Sequence, residues 1–243
     1  MGTVVTAPHP PRAVLFDYGG TLVEELAFDT GAGNEWLLER AELRPGVSME
    51  QVRDRARRIS REVADLRDTT HVETPWPSLT RLIHGALGTV FREPIEALEL
   101  GFWNAAVRTR PMPGVEDALA KFRRAGIPMG VVSNTSFGQA TIRHELSKHG
   151  LDDFMKIFVV SSEHGVRKPN SLIFDVAAGL LDVAPFECWF VGDLIDKDVD
   201  GATAAGMMPI LLSPNGALRA SPPAITVSSW SEIATMVHDA SIA

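Results

Sequence analysis

The chain has 243 residues, 45% apolar and 22% charged, the balance of a globular protein with one large α/β domain or a core carrying a smaller inserted one. Its net charge of −8 argues against a nucleic-acid or anionic-membrane partner across most of the surface. A lone Cys188 rules out an intramolecular disulfide and suits a reducing compartment, and no apolar run approaches the ~20 residues that span a bilayer.

Met1 to Arg12 holds three prolines and no apolar stretch of signal-peptide length. Met1-Gly2-Thr3-Val4-Val5-Thr6 matches the spacing of an N-myristoylation signal. One acyl chain anchors only marginally, so the match is read as chance and the expected location is cytoplasmic. The run Ala13–Phe16 then predicts a buried strand, and Asp17-Tyr18-Gly19-Gly20-Thr21-Leu22 follows it directly. A carboxylate at a strand tip beside two glycines is a poor core but a good phosphoryl and metal site. The glycines let backbone approach a ligand, and the acid can serve as nucleophile or metal ligand.

From Glu24 to Arg110 no convincing strand is expected. Val52, Ala56, Ile59, Val63 and Leu66 repeat at spacings of four and three, which predicts one long amphipathic helix. Glu35–Leu43, Ser78–Leu87 and Pro94–Val107 are further helical candidates. Arg53, Arg55, Arg57, Arg58 and Arg61 are interleaved with Asp54, Glu62 and Asp65 and read as a solvated, charge-laced face. Trp36, Trp76 and Trp103 are expected in this segment's own small core. Pro111 and Pro113 return the chain to the α/β unit.

Beyond them, Val115, Ala118, Leu119 and Phe122 repeat at helical spacing, with Gly126 placed to end the helix. Strands are expected at Pro128–Asn134, Ile157–Ser161, Cys188–Asp193 and Pro209–Leu212, and more weakly at Ile225–Val227. Leu172–Leu181 and Val199–Ala205 read as helices between them. Apolar strands alternating with helices imply a parallel sheet covered on both faces. Ligands of such sheets bind beyond the carboxyl ends of the strands. The fold expected is therefore α/β, a Rossmann-like parallel sheet core (1–23 and 111–243) with an inserted α-helical cap (24–110).

Four polar clusters end four of these strands: Asp17, Ser133-Asn134, Lys168-Pro169 after a short loop, and Gly192-Asp193 with Asp198 five residues on. Brought to one sheet edge, they would surround a small volume with carboxylates, a hydroxyl, an amide and an ammonium. Phosphoryl transfer asks for that set. A carboxylate can attack phosphorus, and a hard cation relieves its repulsion with a phosphate dianion. Lysine and hydroxyl groups then meet the phosphoryl oxygens.

These motifs, Asp17-Tyr18-Gly19-Gly20-Thr21, Val131-Val132-Ser133-Asn134, Arg167-Lys168-Pro169 and Gly192-Asp193-…-Asp198, strongly resemble those of the haloacid dehalogenase-like (HAD) hydrolase superfamily, in its helical-cap subgroup. The resemblance implies a Mg²⁺-dependent phosphatase acting on a small phosphorylated substrate through an aspartyl phosphate. It makes Asp17 the nucleophile and a metal ligand, with the Gly19 carbonyl and Asp193 as further ligands. Asp198 would hold water on the metal or orient Lys168. Ser133 and Lys168 would bind the phosphoryl oxygens, helped by backbone N–H groups around Gly19, Gly20 and Asn134. Asn134 could instead brace its loop, Thr21 serve the turn and Asp196 a helix N-cap.

One position departs from the pattern. Family phosphatases usually carry an acid–base Asp two residues after the nucleophile, where this chain has Gly19, and such catalysis is worth ~10²–10⁴ in rate. The leaving group could depart unaided, or Glu24, Glu25 or Asp29 could stand in. Turnover could also be slow, or lost with phosphate-ligand or protein binding retained. A Schiff-base branch is disfavoured because none of the five lysines lies in 24–110. Asp193 together with Asp198 disfavours 2-haloacid dehalogenation.

Overall fold

A computed structural model describes residues 9–214, 216–221 and 223–240; the Met1–Thr6 spacing lies outside them. In chain order the elements are β1 (Ala13–Phe16), β2 (Val23–Phe28), α1 (Thr30–Leu38), α2 (Met49–Thr70), α3 (Trp76–His84), α4 (Ile95–Ala106) and β3 (Val107–Pro111). After them come α5 (Val115–Arg124), β4 (Met129–Ser133), α6 (Gln139–Ser147), β5 (Ile157–Val160), the one-turn α7 (Ser161–His164) and α8 (Ser171–Leu180). The chain continues through β6 (Cys188–Gly192), a wide turn of helix at Ile195–Val199, α9 (Asp200–Ala204), β7 (Met208–Leu212), β8 (Ile225–Val227) and α10 (Trp230–Ala240).

Six parallel strands form one sheet in the order β5-β4-β1-β6-β7-β8. Strands β1, β4 and β6 are buried along their whole length, which is why they read as unbroken apolar runs. One face packs Phe16, Leu119, Phe122 and Trp230, and the other packs Leu15, Phe174, Ala178 and Phe190. Strand β1 is central, so the tips of β4 and β6 flank Asp17 on either side. The order reverses beside β1, the place where open parallel sheets leave a crevice.

The expectation of no strand in 24–110 is overturned. Strands β2 and β3 pair antiparallel, from Val23 opposite Pro111 to Phe28 opposite Val107, with a register shift between Glu25 and Ala27. Glu24-Glu25-Leu26 and Arg108-Thr109-Arg110 carry little β-propensity. What pairs them is the crossing of the two connections, reinforced by a Glu24–Arg110 ion pair at 2.6 Å. The expected boundaries at 23/24 and 110/111 fall inside this ribbon.

Helix α1 runs over Thr30–Leu38 rather than Glu35–Leu43, because Asp29 caps it by accepting from the N–H groups of Gly31 and Ala32. Gly33 sits inside it where any side chain would meet the Phe102 ring. Helix α2 buries Val52, Ala56, Ile59 and Val63 as expected, but Leu66 is 48% exposed. The inward face continues instead through Arg67, four residues after Val63. Around it the charge-laced face holds, with ion pairs such as Arg57–Asp54 and Arg53–Glu35. Trp76 and Trp103 depart from the separate-core expectation: they join the main cluster beside Phe137, which follows β4.

Candidate active site

Each polar cluster reaches the sheet edge for a local reason. Asp17 is held as β1 ends, its N–H donating to the Val191 carbonyl at 2.9 Å. Below the following turn, the Trp230 indole donates to the Thr21 carbonyl at 3.0 Å. Gly20 has φ +73°, and a side chain there would run into the Asp193 carboxylate. Gly192 is as constrained, because a side chain would strike Asp198. The glycines thus let three acidic residues approach one another.

Lys168 is the hub. Its Nζ donates to Asp17 Oδ1 and to Asp198 Oδ1, both at 2.7 Å, and the side chain is 2% exposed. Asn134 fixes the backbone of that lysine: its Oδ1 accepts from Lys168 N–H at 2.7 Å and its Nδ2 donates to the Lys168 carbonyl at 2.9 Å. Asn134 therefore braces the loop. Asp198 Oδ2 accepts from the N–H groups of Asp193 and Leu194 at 3.1 and 3.0 Å. Asp196 lies inside the turn of helix at Ile195–Val199, whose N-cap is Leu194 with no side-chain capping bond, and so does not take the N-cap role expected of it. Thr21 is wholly buried and its hydroxyl has no partner.

The electrostatics follow from crowding. Burial above all, with Asp198 and Asp193 adding repulsion, pushes the Asp17 carboxyl up to about 7 against the pull of Lys168. Asp193 rises to about 6, by burial first and by Asp198 second. Burial works against the Lys168 ammonium, yet the two carboxylates it touches hold it above its ordinary range. Asp17, Asp193 and Asp198 each offer an oxygen within 4.8 Å of the others. Asp193 Oδ1 is buried with no hydrogen-bond partner. Three carboxylates facing one ammonium, with one oxygen orphaned, suit a hard divalent cation such as Mg²⁺. Both Asp198 oxygens are already engaged, which leaves Asp17 and Asp193 as the better placed pair.

A cavity of about 500 Å³ opens over this cluster, lined by Asp17, Gly19, Ser133, Asn134, Lys168 and Asp198 among others. Gly20 and Asp193 do not line it. Of the three substitute acids raised by the sequence, Glu25 alone lines the cavity. Glu24 is turned to Arg110 and Asp29 caps α1.

Sequence reasoning missed the ion cluster at the cavity's side. Glu73 pairs with Arg67 at 2.7 Å and with Arg167, and it accepts from the Ser161 hydroxyl at 2.7 Å. Backbone bonds join the same segments, Glu73 N–H to the Gly165 carbonyl and Arg167 N–H to the His71 carbonyl. The available signal was Arg67 itself, which extends the buried stripe of α2 at the spacing of four.

The haloacid dehalogenase-like hydrolase family matches residues 11–206 of the chain. A phosphoglycolate phosphatase of Xanthomonas campestris is 30% identical over 81% of this chain and 80% of its own. A glyceraldehyde 3-phosphate phosphatase of Methanopyrus kandleri is 40% identical over 42% of each chain. The chain spans about half the length, or less, of that protein and of others like it. In fold, a HAD phosphatase from Thermococcus onnurineus superposes with a TM-score of 0.63, at 23% identity, over 93% of this chain and 97% of its own.

Proposed function

The chain belongs to the haloacid dehalogenase-like hydrolase family, and from that premise we propose that it is a Mg²⁺-dependent phosphatase acting on a phosphorylated small molecule beneath a cap formed by residues 24–110. The observation that carries this reading is the Lys168 ammonium bridging Asp17 and Asp198 in a buried, acid-rich cluster on a cavity. The phosphatase names of its relatives support the phosphoester class. A lone buried Cys188 and the acidic surface support a cytoplasmic enzyme with neither nucleic acid nor membrane as partner. Among the described residues no helix is long and apolar enough to cross a membrane.

Asp17 supplies the attacking oxygen. Its carboxylate forms a bond to phosphorus as the bond to the leaving oxygen breaks, giving an aspartyl phosphate and a leaving group that must gain a proton. Water then attacks that phosphorus and releases phosphate, regenerating the carboxylate. Lys168 and Ser133 meet the phosphoryl oxygens, Asn134 fixes the lysine loop and Asp198 aims the ammonium. Asp17, Asp193 and the Gly19 carbonyl would hold Mg²⁺, which when bound offsets the charge between carboxylate and phosphate dianion.

Gly19 supports a second reading, a catalytically weak relative that binds a phosphorylated ligand or protein. The deciding experiment measures phosphate and halide release from phosphoesters, acyl phosphates and 2-haloacids, with and without Mg²⁺. Metal-dependent phosphate release that is lost in Asp17→Asn supports the enzyme. Tight phosphate binding without turnover supports the weak relative, and metal-free halide release overturns both.

A further inference from the structure

The cationic side chains Arg67, Arg167, Lys168 and Lys197 line the cavity over the acid cluster, and all but the last have partners. Lys168 bridges Asp17 and Asp198. Arg67 and Arg167 share the buried carboxylate of Glu73. Lys197 is half-buried, yet it takes part in no ion pair and no side-chain hydrogen bond among the described residues. The neighbouring Asp198 is turned elsewhere, its oxygens accepting from Lys168 and from two backbone N–H groups. His84 also lines the cavity, but burial pushes its ring down to about 4, so it is neutral at pH 7.

The chain places this unpaired charge close to the acid cluster. Lys197 lies in the turn of helix at Ile195–Val199, immediately before Asp198. Consecutive Cα atoms are about 3.8 Å apart, so its side chain starts beside the cluster. It reaches the same cavity as Asp17, Ser133 and Lys168. On the cap side the wall is polar: the hydroxyls of Thr30, Ser60 and Thr80 line it and bond to no other described residue. Glu25 is a further wall charge without a partner, but it is exposed on β2, where water solvates it.

We propose that Lys197 determines specificity by receiving a carboxylate that the substrate carries a few atoms from its phosphoryl group. The inference rests on reading the acid cluster as a phosphate site, and narrows the substrate to small phosphorylated carboxylic acids. A ligand filling a cavity of about 500 Å³ displaces water from around the ammonium. A neutral ligand would then leave a half-buried charge uncompensated, which costs free energy. A carboxylate would replace that water with a charge-assisted hydrogen bond. The phosphoryl oxygens have Lys168 as their own cation, which leaves Lys197 for the second anion. The hydroxyls of the cap wall suit polar atoms on the rest of such a molecule.

Binding of non-hydrolysable phosphonates tests the inference apart from turnover. Phosphonoacetate, 3-phosphonopropionate and 4-phosphonobutyrate move the carboxylate outward one carbon at a time, and each has an uncharged amide counterpart. With Mg²⁺ present, the best-fitting acid should bind ~10–100-fold more tightly than its own amide, the range of one hydrogen bond between charged groups. That preference should vanish in Lys197→Gln and largely return in Lys197→Arg. As a ratio within each protein, it is unmoved by a general change in phosphate affinity. A preference that survives Lys197→Gln overturns the proposal, since the carboxylate then lies on the metal or an arginine. So does a Lys197→Gln protein, correctly folded by circular dichroism, that binds neither acid nor amide, because the ammonium then serves the phosphoryl group itself. Equal binding of every acid and its amide also overturns the proposal and leaves the phosphate site standing. Acids that bind as expected with no phosphoester turned over sink the phosphatase reading alone. Failure of every phosphonate, methylphosphonate included, to bind the wild type removes the phosphate site and this proposal with it.

Discussion

Lys168 Nζ donates to Asp17 Oδ1 at 2.7 Å across 151 residues of sequence, so the proposed nucleophile and the charge beside it are joined only by the fold. In the proposed reaction the ammonium would face the phosphoryl group in both ground and transition states. Lys168→Met should therefore weaken phosphate binding and lower kcat together, with ~10²–10³ lost from turnover, as for removal of one oriented donor. Steady-state kinetics with competitive phosphate inhibition would read both. A raised KM with kcat unchanged would limit the lysine to ground-state binding.

The acid cluster also predicts a coupled pH and metal response. With no cation, burial and mutual repulsion lift Asp17 to about 7 and Asp193 to about 6, above the 3.8 of a free Asp. The folded state then holds protons that the unfolded chain has released, so stability falls as pH rises from about 4 to about 7. At the proposed site Mg²⁺ would need the ionised carboxylates and would bind the folded state alone, so it should raise Tm more at pH 8 than at pH 5. Differential scanning calorimetry of wild type and Asp193→Asn checks this. The variant should lose most of the Mg²⁺ effect, and an equal effect in both proteins would remove Asp193 from the metal site.

Glu73 makes a prediction about the seam between cap and core. Glu73→Gln leaves Arg67 and Arg167 close together without their countercharge, and such a loss costs about 3–5 kcal/mol. Denaturant unfolding would measure it. Because Arg167 precedes Lys168, kcat should fall as well, although Glu73 does not line the cavity. Unchanged stability would mean that solvent reaches the pair readily enough to replace the carboxylate.

What was legible in the sequence was local. The runs Ala13–Phe16, Pro128–Asn134 and Cys188–Asp193 were legible as buried strands because burial on both faces demands unbroken apolar runs. The polar residues at their tips then followed from parallel topology. Strands β2 and β3 were illegible, since Glu24, Arg108 and Arg110 pair for a tertiary reason. Arg67 was hidden among the arginines of α2, and only its continuation of the Val52-to-Val63 stripe marks it as inward. The merging of Trp76 and Trp103 with Phe137 depends on a cap–core contact that no local pattern carries.

Gly19 supports the last prediction. Nothing lies within 4 Å of where its side chain would start, and its φ is not positive. The backbone can thus accept the aspartate that family phosphatases usually carry there. If that absence limits ester turnover, activated aryl and acyl phosphates should far outpace alkyl phosphates, whose leaving groups need a proton. Water attack on the aspartyl phosphate should slow too, so phosphorylated protein should accumulate and be trapped by acid quench. Gly19→Asp should speed alkyl phosphate hydrolysis by up to the ~10²–10⁴ of acid–base catalysis. Glu25 is the competitor, being the one candidate acid on the cavity wall. If wild type hydrolyses alkyl and aryl phosphates equally fast and Glu25→Gln abolishes both, the strand residue has taken over the proton. Gly19 is then a relocation of the acid rather than its loss.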